Sequence, residues 1–343
     1  MKALILEKAM EFSFRDIPVP TLDDEESVLV RVKASAICGS DVHGMDGSTG
    51  RRKPPIVMGH EASGIIEEVG KKVRSFQKGD RVTFDSTIYC GKCFFCRRGE
   101  PNLCDHRQVL GVSCDDYSRA GTFAEYVVVP ERILYRMPDD LDFVSASLTE
   151  PLSVAAHALR VGAPEPGDSV LVVGAGLIGL LLIQVLRPHC SGPIIALDVD
   201  AGRLETARRF GADYAFISGP ESAEEIRKLT GGRGADRAFE AVGATAPIAT
   251  AIAGLRKGGT LILIGNVSPK VELPLQSVVT RQLVIKGSCA ISGEYPLSLS
   301  LMAQKKVDVL ALVSAKAPLS EGAAWFKRLY DREPGLLKIV LEP

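Results

Sequence analysis

A chain of 343 residues is long enough for two domains, each with a core of its own. Its hydrophobic fraction of 46% and charged fraction of 24% are those of an ordinary globular protein. A formal net charge of −1 removes the electrostatic ground for a nucleic-acid partner or an anionic membrane surface.

The opening "MKALILEKAM" has too short an apolar run for a signal peptide and reads as a first β-strand. Up to about residue 150, strand-like runs such as "SVLVRVKAS", "ASGIIEEVG", "GDRVTF" and "TFAEYVVVP" alternate with Gly, Pro and Asp. That pattern predicts a β-rich domain carrying inserted loops. Within it, "ICGSDVHG" places Cys38, Ser40, Asp41 and His43 in one turn, and "MGHEASGIIEEVG" sets His60 beside Glu61. The intervening "GMDGSTGRRKPP" reads as a solvated loop with Arg51, Arg52 and Lys53 facing water. Lining a cleft, these cations would instead suit an acidic or phosphorylated sugar.

Next comes "YCGKCFFCRRGEPNLC", with Cys90, Cys93, Cys96 and Cys104 in a lobe of about residues 88–106. Thiolates two residues apart converge on one tetrahedral zinc, and four of them fill every position. A closed zinc holds neither water nor substrate, so this cluster reads as a brace. Eight cysteines, largely in short-spaced sets, point to metal ligation in a reducing compartment.

After Pro151 the pattern changes. "PLSVAAHALRVG" reads as a helix, with Glu150 just before it. The stretch Val170 to Ile183 holds no polar residue, yet it is shorter than the ~20 residues of a membrane span. Its three glycines argue for a strand, a turn and a buried helix. From there strands and helices alternate through "PIIALDVD", "AGRLETARRFGA", "YAFIS", "ADRAFEAVG", "PIATAIAGLRKGG", "TLILIGNV" and "QLVIKGS". Such alternation predicts a parallel sheet with helices on both faces.

Gly174, Gly176 and Gly179, with Leu177 and Ile178 between the last two, form G-x-G-x-x-G directly after a strand. Asp198 ends the next strand about 20 residues on. The glycines let backbone approach a pyrophosphate, which the helix N-terminus stabilises. Asp198 would accept the ribose hydroxyls and repel a 2′-phosphate, favouring NAD over NADP, with Arg203 placed to stack on adenine. The final segment, "PLSLSLMAQKK", "EGAAWFKRLYD" and "KIVLEP", predicts two helices and a strand returning to the first domain.

Cys38, His60 and Glu150 are each ambiguous alone. Together they offer one sulfur, one imidazole and one carboxylate, the donor set of a catalytic zinc with an open position.

"CGSDVH", "GHEASGIIEEVGKKV", the four-cysteine lobe, "GTFAEY", "EPLSVAAHA" and "GAGLIG", in that order, resemble the zinc-dependent medium-chain dehydrogenase/reductase superfamily. Its zinc signature, GHE-x2-G-x5-G-x2-V, is matched at every fixed position. "EPLSVAAHA" points to the polyol, sorbitol-like branch, or to the neighbouring butanediol and threonine dehydrogenases. The resemblance implies an α/β fold: a GroES-like β-rich catalytic domain over residues 1–152 and a Rossmann domain, a doubly wound parallel sheet binding coenzyme, over 153–287. A segment of residues 288–343 returns to the first domain, and the active site lies in the cleft.

The resemblance also implies NAD and two zinc ions per chain, one catalytic and one structural. The catalytic zinc takes Cys38, His60, and Glu61 or Glu150 directly or through water. Val242 and Gly265 join the cofactor site, Phe123 the substrate pocket, and Ser40 and His43 a proton relay. Sorbitol dehydrogenases carry an arginine toward the polyol where this chain aligns Ala290, and "SGEYP" is closer to butanediol dehydrogenases. The expected activity moves hydride between NAD and a secondary alcohol of a polyol or sugar alcohol, giving a ketone. A vicinal diol or L-threonine-like substrate is the alternative. A cytoplasmic homo-oligomer, dimer or tetramer, acting on a small molecule without nucleic acid or membrane completes the expectation. The retained ligands argue against a non-catalytic NAD sensor.

Overall fold

Alternating apolar residues in "SVLVRVKASA" build the strand around which the β-rich half is organised. The computed structural model describes residues 1–22 and 24–343. They divide into two compact units, Met1–Glu150 with Ile291–Pro343, and Pro151–Ala290.

In the first unit the strand Ser27–Ala36 is buried along almost its whole length because it has neighbours on both sides. Glu61–Val69 and Tyr126–Pro130 pair with it antiparallel. So does Lys338–Glu342, which itself runs parallel to Val313–Pro318. Sheet order is Leu134–Arg136, Arg81–Phe84, Glu61–Val69, Ser27–Ala36, Lys338–Glu342, Val313–Pro318. Val28, Val30, Val82, Phe84, Val127 and Val129 form one core over it. The run "KIVL" is buried at all four positions, as a strand covered on both faces should be.

A smaller sheet joins Lys2–Lys8 to Glu11–Asp16 and Ile56–Val57. Its core includes Leu4, Leu6, Met58, Phe123 and Phe326. Phe123, expected in a substrate pocket, is 0% exposed and meets the Phe326 ring edge-on at 5.6 Å. It is a core residue, and the expectation is corrected.

The second unit is a six-stranded parallel sheet ordered Tyr214–Ile217, Ile194–Asp198, Val170–Val173, Ala235–Glu240, Leu255–Leu263, Val284–Gly287. Numbered within the unit this is 3-2-1-4-5-6, the Rossmann order, with its switch point between Val170–Val173 and Ala235–Glu240. Helix Leu177–Leu186 is buried from Gly179 to its end, as an all-round apolar helix must be. One predicted helix ends early. "PIATAIAGLRKGG" is helical only within Thr245–Gly254, and "LRKGG" opens the next strand. Leu255 is already extended, at ψ 152, and pairs with Ala235, so the helix stops before Gly258 and Gly259 are reached. Among the described residues, no helix is long and apolar enough to cross a membrane.

Candidate metal and dinucleotide sites

Cys38 caps the N-terminus of the helix Gly39–Gly44 in extended conformation, φ −83 and ψ 148. Asp41 accepts the Cys38 N–H at 3.4 Å, a long bond that helps hold the chain at the sulfur. His60 lies one residue before the strand Glu61–Val69, just after Gly59 at φ +95. It is therefore free of the strand's side-to-side alternation, and its ring and the Glu61 carboxylate reach the same point. Ligand atoms of Cys38, His60 and Glu61 lie within 4.8 Å of one another.

The electrostatics around this set come from residues distant in the chain. Lys338, 1% exposed, donates from Nζ to Glu61 Oε2 at 2.6 Å and to the Ile37 carbonyl at 2.9 Å. Burial alone would lower the Lys338 ammonium, but the Glu61 carboxylate, Cys38 and Glu150 together outweigh it and raise it. Glu150 lies outside the three-residue set. Ser86 Oγ donates to it at 3.2 Å. Burial pushes the Glu150 carboxyl up to about 7; His60 pulls against this, and the Glu61 and Asp85 carboxylates add to it. Asp41 sits 3.5 Å from His60 Nδ1 and 2.7 Å from an Arg52 nitrogen. Burial would raise Asp41, but His60 and Arg52 together hold its carboxyl well below the ordinary range.

Arg52 corrects the solvated-loop expectation: its side chain is 4% exposed, whereas Arg51 and Lys53 do lie at the surface. Ser40 and His43 also lie on the exposed side of their helix. Among the described residues no hydrogen bond joins those two, and the capping contact of that turn belongs to Asp41.

A thiol, an imidazole and a carboxylate at this spacing suit zinc, and Lys338 and Arg52 balance the neighbouring carboxylates. The four cysteines fit equally well. The sulfurs of Cys90, Cys93, Cys96 and Cys104 lie within 4.8 Å of one another. N–H groups of Lys92 and Cys93 pull the Cys90 thiol down to about 6, while burial and its sulfur neighbours push Cys96 up to about 12. Four sulfurs this close cannot all ionise without a cation among them.

In the second unit, Gly174 at φ +96 turns the chain out of Val170–Val173. A Cβ on Gly179 would sit 1.9 Å from the Gly174 carbonyl oxygen, so only glycine lets the helix pack there. Gly176 caps the helix without a side-chain partner, leaving N–H groups at Leu177, Ile178 and Gly179 for an anion. Asp198 ends the parallel neighbour strand and accepts the Ala175 N–H at 2.6 Å. Its other oxygen accepts from Val199 and Asp200 at 2.8 and 3.0 Å. Arg203 approaches that oxygen at 3.9 Å.

Glu240 was missed in sequence: fully buried, it accepts the N–H groups of Val242 and Gly243 at 2.8 Å each. An acid at a strand end followed by "AVG" was the available signal. Gly265 packs backbone to backbone on Val242 and Gly243, while the Val242 side chain stays partly exposed. Ala290 follows the edge strand at φ +51.

Residues 24–139 match the alcohol dehydrogenase GroES-like domain, and residues 178–304 the family described as zinc-binding dehydrogenase. The chain is 37% identical over 336 residues to a probable D-xylulose reductase A of Aspergillus fumigatus, spanning 95% of this chain and 93% of the relative. The chain belongs to the zinc-dependent medium-chain dehydrogenase/reductase superfamily. Members of known structure superimpose over nearly the whole length. An alcohol dehydrogenase of Thermus sp. ATN1 has a TM-score of 0.91 at 31% identity, covering 100% of this chain and 99% of the other. The 2R,3R-butanediol dehydrogenase of Bacillus subtilis has a TM-score of 0.87 at 28% identity, with the same coverage. Within the superfamily, the match to D-xylulose reductases puts this dehydrogenase on the polyol branch.

Proposed function

We propose that this dehydrogenase oxidises a secondary alcohol of a polyol to a ketone with NAD, or runs the reverse reduction of a ketose. The reading rests on one observation: Cys38, His60 and Glu61 converge within 4.8 Å in a chain 37% identical to a probable D-xylulose reductase. Cys38 and His60 would hold the catalytic zinc with Glu61 or Glu150; Cys90, Cys93, Cys96 and Cys104 would hold a structural one. Bound there, zinc supplies a Lewis acid that makes a hydroxyl group acidic near neutral pH. Bound at the glycine turn and Asp198, NAD would supply the hydride acceptor.

The chain's own residues do the rest. Oxidation removes a hydride from carbon and a proton from oxygen, and the proton has to reach water. Ser40 and His43, both exposed and not hydrogen-bonded to each other, would take it outward with solvent between the hydroxyl and the imidazole. Free N–H groups at the start of helix Leu177–Leu186 seat the pyrophosphate, and Asp198 meets the ribose. Lys338 holds Glu61 by a hydrogen bond, so a metal at Cys38 and His60 would find its remaining position open to Glu150 or to substrate.

Among the described residues every cysteine is a free thiol, which fits a reducing, cytoplasmic setting. The edge strand Val284–Gly287 and the helix Leu275–Thr280 expose Leu275, Val279 and Val284, a face suited to a second copy of the chain. A panel of pentitols, hexitols, vicinal diols and L-threonine with NAD, followed as NADH formation, tests the reaction. Turnover of diols alone would favour the second reading, which Ala290 supports. No turnover of any alcohol would overturn both.

A further inference from the structure

We infer that Arg52, on the loop between Cys38 and His60, is a positioning residue for the metal ligand His60 and acts through Asp41. The inference rests on the metal-site reading above.

Arg52 is a buried cation in a segment whose composition belongs to solvent. Its Nη2 donates to Asp41 Oδ1 at 2.7 Å, and the two side chains are 4% and 0% exposed. The second carboxylate oxygen, Oδ2, faces His60 Nδ1 at 3.5 Å. Guanidinium, carboxylate and imidazole thus form one chain of charge contacts ending on a proposed ligand. A metal-bound histidine is oriented by whatever its other ring nitrogen meets, and here that group is Asp41. A buried carboxylate without a cation is costly, so Asp41 needs Arg52 to stay where it is.

The surroundings hold Arg52 to this task. A Cβ on Gly44 would stand 2.7 Å from Arg52 Cγ, so the last residue of the helix Gly39–Gly44 leaves the room through which the arginine passes. On either side of it, the Arg51 carbonyl accepts the Ser113 N–H at 3.3 Å and the Lys53 N–H donates to Ser113 Oγ at 2.6 Å. The loop is therefore pinned, and its arginine reaches inward from a fixed base.

The test compares zinc release from wild type, Arg52→Gln, Arg52→Lys, Asp41→Asn and the double variant Asp41→Asn/Arg52→Gln in the presence of a chromogenic chelator. Loss of such an outer contact typically weakens metal binding about 10- to 100-fold. Arg52→Gln should release the first zinc about that much faster while the four-cysteine zinc leaves at the wild-type rate. Arg52→Lys, which keeps charge without the planar fork, should fall between. Adding Arg52→Gln to Asp41→Asn should change little further. In cobalt-substituted protein, Arg52→Gln and Arg52→Lys should shift the visible d–d bands, which a general loosening of the fold would not do selectively. Wild-type release and unshifted bands in both arginine variants, or full additivity with Asp41→Asn, would overturn the inference alone. Should Arg52→Gln fail to fold, Arg52→Lys and its cobalt spectrum decide. One zinc per wild-type chain, unaffected by Cys38→Ser, would overturn the metal-site reading and the inference with it.

Discussion

Asp198 accepts from the Ala175 N–H, so it serves the glycine turn as well as any ribose above it. The two duties separate by substitution. Asp198→Asn keeps an acceptor for Ala175 but removes the charge that repels a 2′-phosphate. Hydrogen bonds to charged groups contribute about 1.5–3 kcal/mol, so the NAD-over-NADP ratio of kcat/KM should fall roughly 10- to 100-fold. Asp198→Ala should show the same fall together with a raised KM for both nucleotides. An unchanged ratio in both variants would mean that Asp198 does not meet the ribose. His43→Gln should retain zinc and bind NAD normally, yet oxidise alcohol about 10²-fold more slowly near neutral pH. The deficit should shrink as pH rises, because hydroxide then takes the proton directly. A deficit constant across pH would assign His43 a structural role. Arg52, Lys338 and Asp41 were not legible in the sequence as a support for His60 and Glu61. Lys338 follows Glu61 by 277 residues, and nothing local in "LLKIVLEP" marks its lysine as buried.

At the scale of elements, a zinc in the four-cysteine lobe would act as a brace, because the lobe's own helix buries nothing. Its helix Phe94–Arg97 has four residues, none buried, and Phe94 is 60% exposed. Cys93→Ser should therefore drop one zinc per chain and lower Tm, while Cys38 stays protected from alkylation by the other zinc. Dialysis of wild type against a chelator should abolish activity before the far-ultraviolet signal changes, since a three-ligand site exchanges more readily than a closed one. Simultaneous loss of both signals would contradict two separate metals. The Rossmann elements were readable because strand and helix periods alternate cleanly after Pro151 and the glycine turn has one geometry. The helix end at Gly254 was not: "GLRKGG" suits a helix terminus and a strand entry equally, and pairing with Ala235–Glu240 decides between them. Phe123 was misread for a related reason. An aromatic in "GTFAEY" looks the same in sequence whether it lines a pocket or meets Phe326 in a core.

For the whole molecule, the exposed Leu275, Val279 and Val284 beside an unpaired strand edge predict self-association. Val279→Glu should halve the mass seen in light scattering while leaving zinc content intact; an unchanged mass would put the interface elsewhere. The placement of Lys338–Glu342 inside the first sheet, between Ser27–Ala36 and Val313–Pro318, bears on how the chain leaves the ribosome. Pro151–Ala290 is one unbroken stretch and can close as soon as it emerges. Met1–Glu150 cannot, because a strand that fills its sheet and the lysine that holds Glu61 are translated after all its other strands. Its long-range pairings also belong to the slow-forming kind. Nascent chains stalled with residue 300 outside the exit tunnel should thus resist protease within 151–290 and be cut within 1–150. Equal protection of both stretches would show that the amino-terminal unit folds without its final strand. Until that strand arrives, Glu61 and the Ile37 carbonyl beside Cys38 lack Lys338, so a cell would meet this enzyme first as a nucleotide-binding fold and only later as a metalloprotein.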